Sequence, residues 1–488
     1  MAETLPLWFN KDTEKPHKHA KREGLCLYIP KKQSWHIEPP WGLLNDPNGL
    51  IWYKGNYYAF FQWNRFAKDH SSKAWGFATS PDLVHWQFRG SALLPDQPYD
   101  AQGVYSGCAL EIDGQLNLYY TGNVKQEGRR ISRQCLAVSE DGRHFRKLCP
   151  VLTTPAGYTE HFRDPKVVPA PQGGYAMVLG AQRQNGLGAV ELATSQDGVH
   201  WVPGGAVGLS EEYQMIECPD LFALDGTPVL LYCPQHRDNA ADASLDSFSV
   251  GMVLDQWPDA ARPIDLDTSW QRLDAGFDFY APQTFRAPDG RQILFGWMSR
   301  LEGEEETAFG AEEPRIHCLT MPRELFRRGR HLCQRPVREL RELPGTPVAG
   351  ETTDNGRLYR PARRAFRFTV ENLAPSSNLE LTLHGGEWSF RYDAAAHTAT
   401  VQRRRWTDGG TDTRQAELPI LNSLELWCDQ SSAELFLNDG ELVFSARFCP
   451  TAPQPSLLAA GLTPENPAQL TLLPEDLYRF IPKEEEKS

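Results

Sequence analysis

The chain has 488 residues, 40% of them apolar and 23% charged, which is too long for one ordinary core and normal in make-up for a soluble globular protein, so two domains are expected. A formal charge of −13 and a pI near 5.5 give a long-range field that repels nucleic acid and anionic membrane surfaces and excludes either as the main partner, though not a small anionic substrate met by a local cluster of Lys or Arg. No run approaches the roughly 18 apolar residues that cross a bilayer. The ten cysteines are scattered with no C-x-x-C pair, and the histidines show no metal-site spacing such as H-E-x-x-H, so reduced thiols are expected and neither a metal nor a cofactor.

Residues 1–30 carry no apolar stretch of the signal-peptide kind and read as an N-terminal extension of a cytoplasmic protein. The 39 Gly, 37 Pro and many aromatics of the whole chain suit short strands joined by tight turns, which predicts an all-β fold. Three segments resemble one another: Ala78–Trp86 (ATSPDLVHW), Ala137–Phe145 (AVSEDGRHF) and Ala193–Trp201 (ATSQDGVHW), starting 59 and 56 residues apart. That period is too long for a helical solenoid and fits four-stranded propeller blades.

Acidic motifs fall on the same period. Asp46 lies in LLNDPNGL, Asp164 in FRDPKV and Glu217 in IECPDLF; the intervals are 118 residues (two periods) and 53. One period after Asp46 comes Tyr105 in VYSG, and 63 residues after Glu217 comes Tyr280 in DFYAPQ. Five equivalent positions predict a five-bladed β-propeller over 31–335 in which three distant carboxylates meet in one funnel. Residues 336–350 then read as a Pro/Gly-bearing linker, and alternating segments at 365–370, 379–384, 423–429 and 433–439 predict a C-terminal β-sandwich over 351–482. That sandwich is expected to be structural or accessory, with carbohydrate binding or a homodimer as the minority role. The acidic stretch at Glu304–Glu306 and the 483–488 tail read as solvated surface.

Paired carboxyl groups cut glycosidic bonds around an oxocarbenium-like transition state, one attacking or activating water and the other protonating the leaving oxygen. The turn-like surroundings of Asp46 predict amides that hold it ionised, as a nucleophile needs. The apolar neighbours of Glu217 predict a raised pKa suited to a general acid. Asp164 follows Arg163 and is expected to stay ionised and grip sugar hydroxyls. Trp41, Trp52, Trp63, Trp75 and Tyr105 crowd the same segments, Trp75 being the preferred sugar-stacking ring.

At these residues the chain resembles glycoside hydrolase family 32, the invertase and fructanase family, from His36 to about Phe448. The matching blocks include Asn45–Gly49, Gln62 in FFQWN, Trp75-Gly76, Tyr105–Gly107, Arg163–Pro165, Glu217–Pro219, Asp278–Gln283 and Gly296–Met298. The resemblance implies Asp46 as nucleophile, Glu217 as acid/base and Asp164 as transition-state stabiliser. It makes Asn45, Gln62, Trp75, Ser106 and Arg163 contacts to a terminal β-fructofuranosyl unit, with Tyr105 and Tyr280 in the same pocket. Stretches such as Gly122–Arg130 are most similar to the bacterial branch acting on sucrose 6-phosphate inside the cell, so a fructoside substrate, sucrose 6-phosphate or sucrose, is expected. A fructan hydrolase is the alternative, and a non-catalytic sugar-binding propeller a more remote one. Lys73, His70, Arg65 and Arg183 are candidate phosphate contacts. Two departures from the family pattern, Leu43-Leu44 and Phe77, are expected to alter the leaving-group side of the pocket.

Overall fold

The computed structural model describes residues 32–236, 247–300, 313–405, 408–448, 451–463 and 466–480. The 1–30 extension, the acidic stretch at 304–306 and the 483–488 tail lie outside the described residues.

The chain forms a five-bladed β-propeller followed by a β-sandwich. Blade 1 is built on Gly42–Tyr53, Asn56–Asn64, Ala74–Ser80 and Trp86–Leu93. The innermost strands of blades 2 to 5 are Val104–Ile112, Tyr158–Pro169, Met215–Leu224 and Tyr280–Arg286, each leading an antiparallel meander. Two antiparallel sheets of six and seven strands make the sandwich.

Aromatic and β-branched residues on both faces of each blade explain the packing. A separate apolar cluster fills each junction between blades: Phe60, Trp75 and Phe77 with Leu118 and Tyr120 between blades 1 and 2, and Phe61 and Trp63 with Tyr280 and Trp297 where blade 5 meets blade 1. Burying such area stabilises by about 25 cal/mol per Å². Phe77 is stacked on Tyr58 and Phe60 in this inter-blade core, and Leu43 and Leu44 have no exposed surface. At both departures from the family pattern, then, the side chains fill core volume.

The repeated segment is the turn from the third to the fourth strand of blades 1, 2 and 3. In each copy the aspartate accepts backbone N–H groups and binds the histidine Nδ1 at 2.7 Å: Asp82–His85, Asp141–His144 and Asp197–His200. These Asx-type caps close identical tight corners.

The segment expected as a linker is built into the fold. A short helix, Arg338–Arg341, buries Leu340, and Thr346–Val348 pairs with Ala468–Leu472 of the sandwich. After the sandwich, Tyr478–Arg479 returns to pair parallel with Trp86-Gln87 at the outer edge of blade 1, because Leu477 and Tyr478 pack into the propeller core.

Propeller and sandwich meet through buried charge. His36 Nδ1 lies 3.0 Å from Asp429 and Nε2 2.8 Å from Glu434. Arg323 binds Asp274 at 3.0 Å and also Glu434, Ser445 Oγ donates to Asp274 at 2.6 Å, and Arg403 of the sandwich pairs with Asp278 of the propeller. Burial opposes the His36 charge, but the two acceptors outweigh it and raise its pKa to about 9.

Candidate active site

Each inner strand slips in register at the same depth. The residues that fall opposite no partner are Asn45-Asp46, Tyr105-Ser106, Asp164-Pro165, Cys218-Pro219 and Ala281-Pro282. Such β-bulges re-aim side chains next to functional sites. Asp164, Cys218 and Ala281 take left-handed φ of 62°, 47° and 47°, each just before a proline that cannot donate to the ladder. Asn45-Asp46-Pro47-Asn48-Gly49 is accordingly a bulged strand and not the expected tight turn. Gly49 has φ 53°, and a Cβ there would stand 2.8 Å from the Phe60 ring, so glycine is required.

The slips bring the three carboxylates into one mouth. Asp46 Oδ1 accepts from Asn45 Nδ2 at 3.1 Å, and Oδ2 accepts from Ser106 Oγ at 2.5 Å. Gln62 ties these two donors together, accepting from Asn45 Nδ2 at 2.7 Å and donating to Ser106 Oγ. The Cys218 thiol sits between carboxylates, 3.9 Å from Asp46 Oδ2 and 3.7 Å from Asp164 Oδ2. Asp164 Oδ2 also accepts the Cys218 N–H at 3.1 Å, and its own N–H donates to Thr121 Oγ1 at 3.0 Å. Both oxygens of Glu217 are held, by Arg163 Nη2 at 2.6 Å and the Tyr280 hydroxyl at 2.8 Å.

Two expectations on charge are corrected. No turn amide reaches the Asp46 carboxyl; desolvation raises its pKa against the pull of Ser106, Lys73 and Asn45. Desolvation, with the Glu217 and Asp46 charges, likewise raises Asp164 to about 7 although Arg163 opposes it. For Glu217, the apolar chain neighbours are not what its carboxylate meets, since a guanidinium and a phenol flank it. Like charges close together at low dielectric resist full ionisation, so the mouth stores electrostatic strain.

Trp75 is fully buried, and its indole N–H donates to Tyr105 O at 3.0 Å. It braces the blade 2 strand from beneath, correcting the expected sugar-stacking role. Trp52 and Trp63 are packed in the core, whereas Trp41 is 40% exposed, with its indole N–H on Arg65 O at 2.9 Å.

The four cations expected at the rim divide. Lys73 is buried inside the site, its ammonium on Asn45 Oδ1 and, at 2.7 Å, on His70 Nδ1; burial lowers its pKa to about 7 against the attraction of Asp46. His70 keeps part of its ring in solvent, edge-on to Trp297, yet desolvation and the Lys73 charge push it down to about 4, so the ring is neutral near pH 7. Arg183 is engaged by Ser210 O and, at 2.9 Å, by Glu211. Arg65 lies over the Phe66 ring at 4.9 Å.

Sequence reasoning missed the Cys218 thiol and the Thr121 hydroxyl, and it set Asp46 and Glu217 at equivalent positions when the bulges align Asn45 with Cys218 and Asp46 with Pro219, leaving Glu217 one residue before its bulge. The prolines at 47, 165, 219 and 282 were the available signal. Among the described residues no group of three or more His, Cys, Asp or Glu side chains is arranged to hold a metal ion, and no helix is long and apolar enough to cross a membrane.

The model of the glycosyl hydrolases family 32 N-terminal domain matches residues 36–336, and that of the family 32 C terminal matches 350–464. The chain is 37% identical over 443 residues to the sucrose-6-phosphate hydrolase of Bacillus subtilis (strain 168), covering 88% of this chain and 91% of that one. It is 40% identical over 446 residues to the sucrose-6-phosphate hydrolase of Klebsiella pneumoniae, with the same coverage. The solved sucrose-6-phosphate hydrolase of Lactobacillus gasseri superposes with a TM-score of 0.81 at 29% identity, over 91% of this chain and 93% of that one.

Proposed function

This chain belongs to glycoside hydrolase family 32, and we propose that it is a retaining β-fructofuranosidase that releases fructose from sucrose 6-phosphate and from sucrose. The observation that carries the reading is the convergence of Asp46, Asp164 and Glu217, from three blades, on one mouth. Asp46 attacks the anomeric carbon. Its carboxylate is fixed by Asn45 and Ser106, which Gln62 locks to each other, so little reorganisation is needed.

Glu217 protonates the leaving oxygen and then deprotonates the water that resolves the fructosyl-enzyme. Arg163 and Tyr280 aim its two oxygens. Asp164 faces the developing positive charge of the ring, where an ionised carboxylate is worth most because the site is poorly solvated. Substrate binding that expels a proton from this cluster would supply that anion when needed.

A phosphorylated disaccharide stays in the compartment where it is made, which supports a cytoplasmic enzyme, as do the free thiols at the eight described cysteines. Comparing kcat/KM on sucrose 6-phosphate, sucrose and inulin at matched ionic strength tests the reading. Fructose release from the two disaccharides, with the phosphorylated one preferred and inulin far slower, is expected. Turnover of inulin at the rate of sucrose would make the enzyme a fructan hydrolase.

A further inference from the structure

A cavity of about 630 Å³ opens between the long hairpin of blade 2 (Gln115–Gln126 and Arg129–Ser139) and the start of the inner strand of blade 3. Three arginines line it, Arg129, Arg130 and Arg133, against one carboxylate, Glu160. In a chain of net charge −13 such an excess of cation is unusual. Within the described residues none of the three guanidinium groups takes part in an ion pair or a side-chain hydrogen bond; Arg130 lies over the Tyr105 ring at 5.6 Å. The neighbouring hydroxyls are engaged within the fold: Ser132 on Glu160 O at 2.9 Å, Thr154 on Ser132 O at 3.3 Å and Thr159 on Gln182 at 3.0 Å. The cavity therefore offers charged donors and few free acceptors.

Its position ties it to the catalytic mouth. Tyr105 is adjacent to Ser106, the hydroxyl that holds Asp46. Glu160 stands three residues before Arg163, so the cavity wall lies roughly 10 Å along an extended strand from the arginine that holds Glu217. A fructosyl unit seated among the carboxylates would direct the rest of the sugar outward, to this distance.

Resting on the sugar-phosphate reading above, we propose that this cavity is the phosphate subsite, in which Arg129, Arg130 and Arg133 bind the phosphate monoester on the leaving sugar. A phosphate monoester carries close to two negative charges at neutral pH and presents oxygens that match a guanidinium fork. A neutral sugar would call for a mixture of donors, acceptors and ring faces. The candidates read from sequence fit less well, because Lys73 and Arg183 already have partners and His70 is neutral.

The test measures kcat/KM on sucrose 6-phosphate and sucrose, and competitive inhibition by glucose 6-phosphate and glucose, for wild type, Arg130→Ala, Arg133→Ala and Arg130→Lys. The ratio of kcat/KM on the two disaccharides should fall about 10- to 100-fold in each alanine variant, the loss of a charged hydrogen bond. The lysine variant should recover part of it, and inhibition by glucose 6-phosphate should weaken in parallel. A wild type that prefers the phosphorylated sugar, with a ratio unmoved by all three substitutions, would overturn the subsite and leave the substrate reading standing. A wild type without preference, in which glucose 6-phosphate still inhibits better than glucose and loses that advantage in the variants, would support the subsite and overturn the phosphorylated substrate. If glucose 6-phosphate inhibits wild type no better than glucose, the subsite is wrong.

Discussion

The catalytic mouth and the propeller–sandwich seam both bury charge, with opposite logic. At the mouth, three carboxylates share two nearby cations; desolvation raises Asp46 and Asp164, and burial lowers Lys73. At the seam, charges are matched: His36 is held between Asp429 and Glu434 and rises to about 9, while Glu434 is lowered by Arg323 and His36 despite the burial that opposes it. Asp274 is the exception, raised by burial although Arg323 and Ser445 bind it. The seam is built to hold two domains together; the mouth is kept poorly compensated so that a transition state can complete it.

That contrast can be broken most forcefully at Asp46. An Asp46→Ala variant should lose on the order of 10⁴- to 10⁶-fold in kcat, as removal of a nucleophile does. It should unfold at the same denaturant concentration as wild type or a higher one, because a strained buried carboxylate is gone. A large stability loss together with retained turnover would reverse the assignment.

The seam should behave in the opposite way. The folded-state pKa of His36 lies above its ordinary value of 6.5, so its contribution is fully present below pH 6.5 and is lost as pH rises through about 9. Denaturation between pH 6 and 9.5 should show a decline on the order of 3 kcal/mol in wild type. His36→Gln should begin lower and stay flat over the same window, with kcat per folded molecule close to wild type. A parallel slope in both proteins would mean that another group titrates.

The smallest effect is expected where the two kinds of site meet, at Lys73, a cation inside the mouth. Its charge favours ionised Asp46, so Lys73→Met should raise the Asp46 pKa and move the acid limb of kcat/KM upward by about one pH unit. A limb that stays in place would show that Asp46 ionisation does not set it.

Much of this was legible in the sequence, because a propeller repeats. The period of 59 and 56 residues marks the corner of three blades, and the acidic motifs, read on the same period, place the carboxylates on inner strands. The bulges were not legible: a one-residue slip leaves the spacing almost unchanged while exchanging which residue faces the mouth, which is why Asp46 aligns with Pro219 and not with Glu217. Nor could local composition give the charge state of Asp46 or Asp164, since their desolvation comes from blades far away in the chain. Trp75 misled for a related reason: its neighbours in sequence are pocket residues, yet the alternation of the strand turns its ring inward. The arginine pair at 129 and 130 was visible only as a similarity, because the hairpin that carries it to the cavity is defined by pairing with Lys125 and Gln126.

Following the anomeric form of the fructose released in the first moments of sucrose hydrolysis by NMR bears most directly on the double displacement at Asp46. Release of β-fructofuranose, decaying to the equilibrium mixture, is expected of a retaining enzyme with a covalent fructosyl-Asp46. Initial release of the α-anomer would mean that water attacks directly, and Asp46 would then be a base and not a nucleophile.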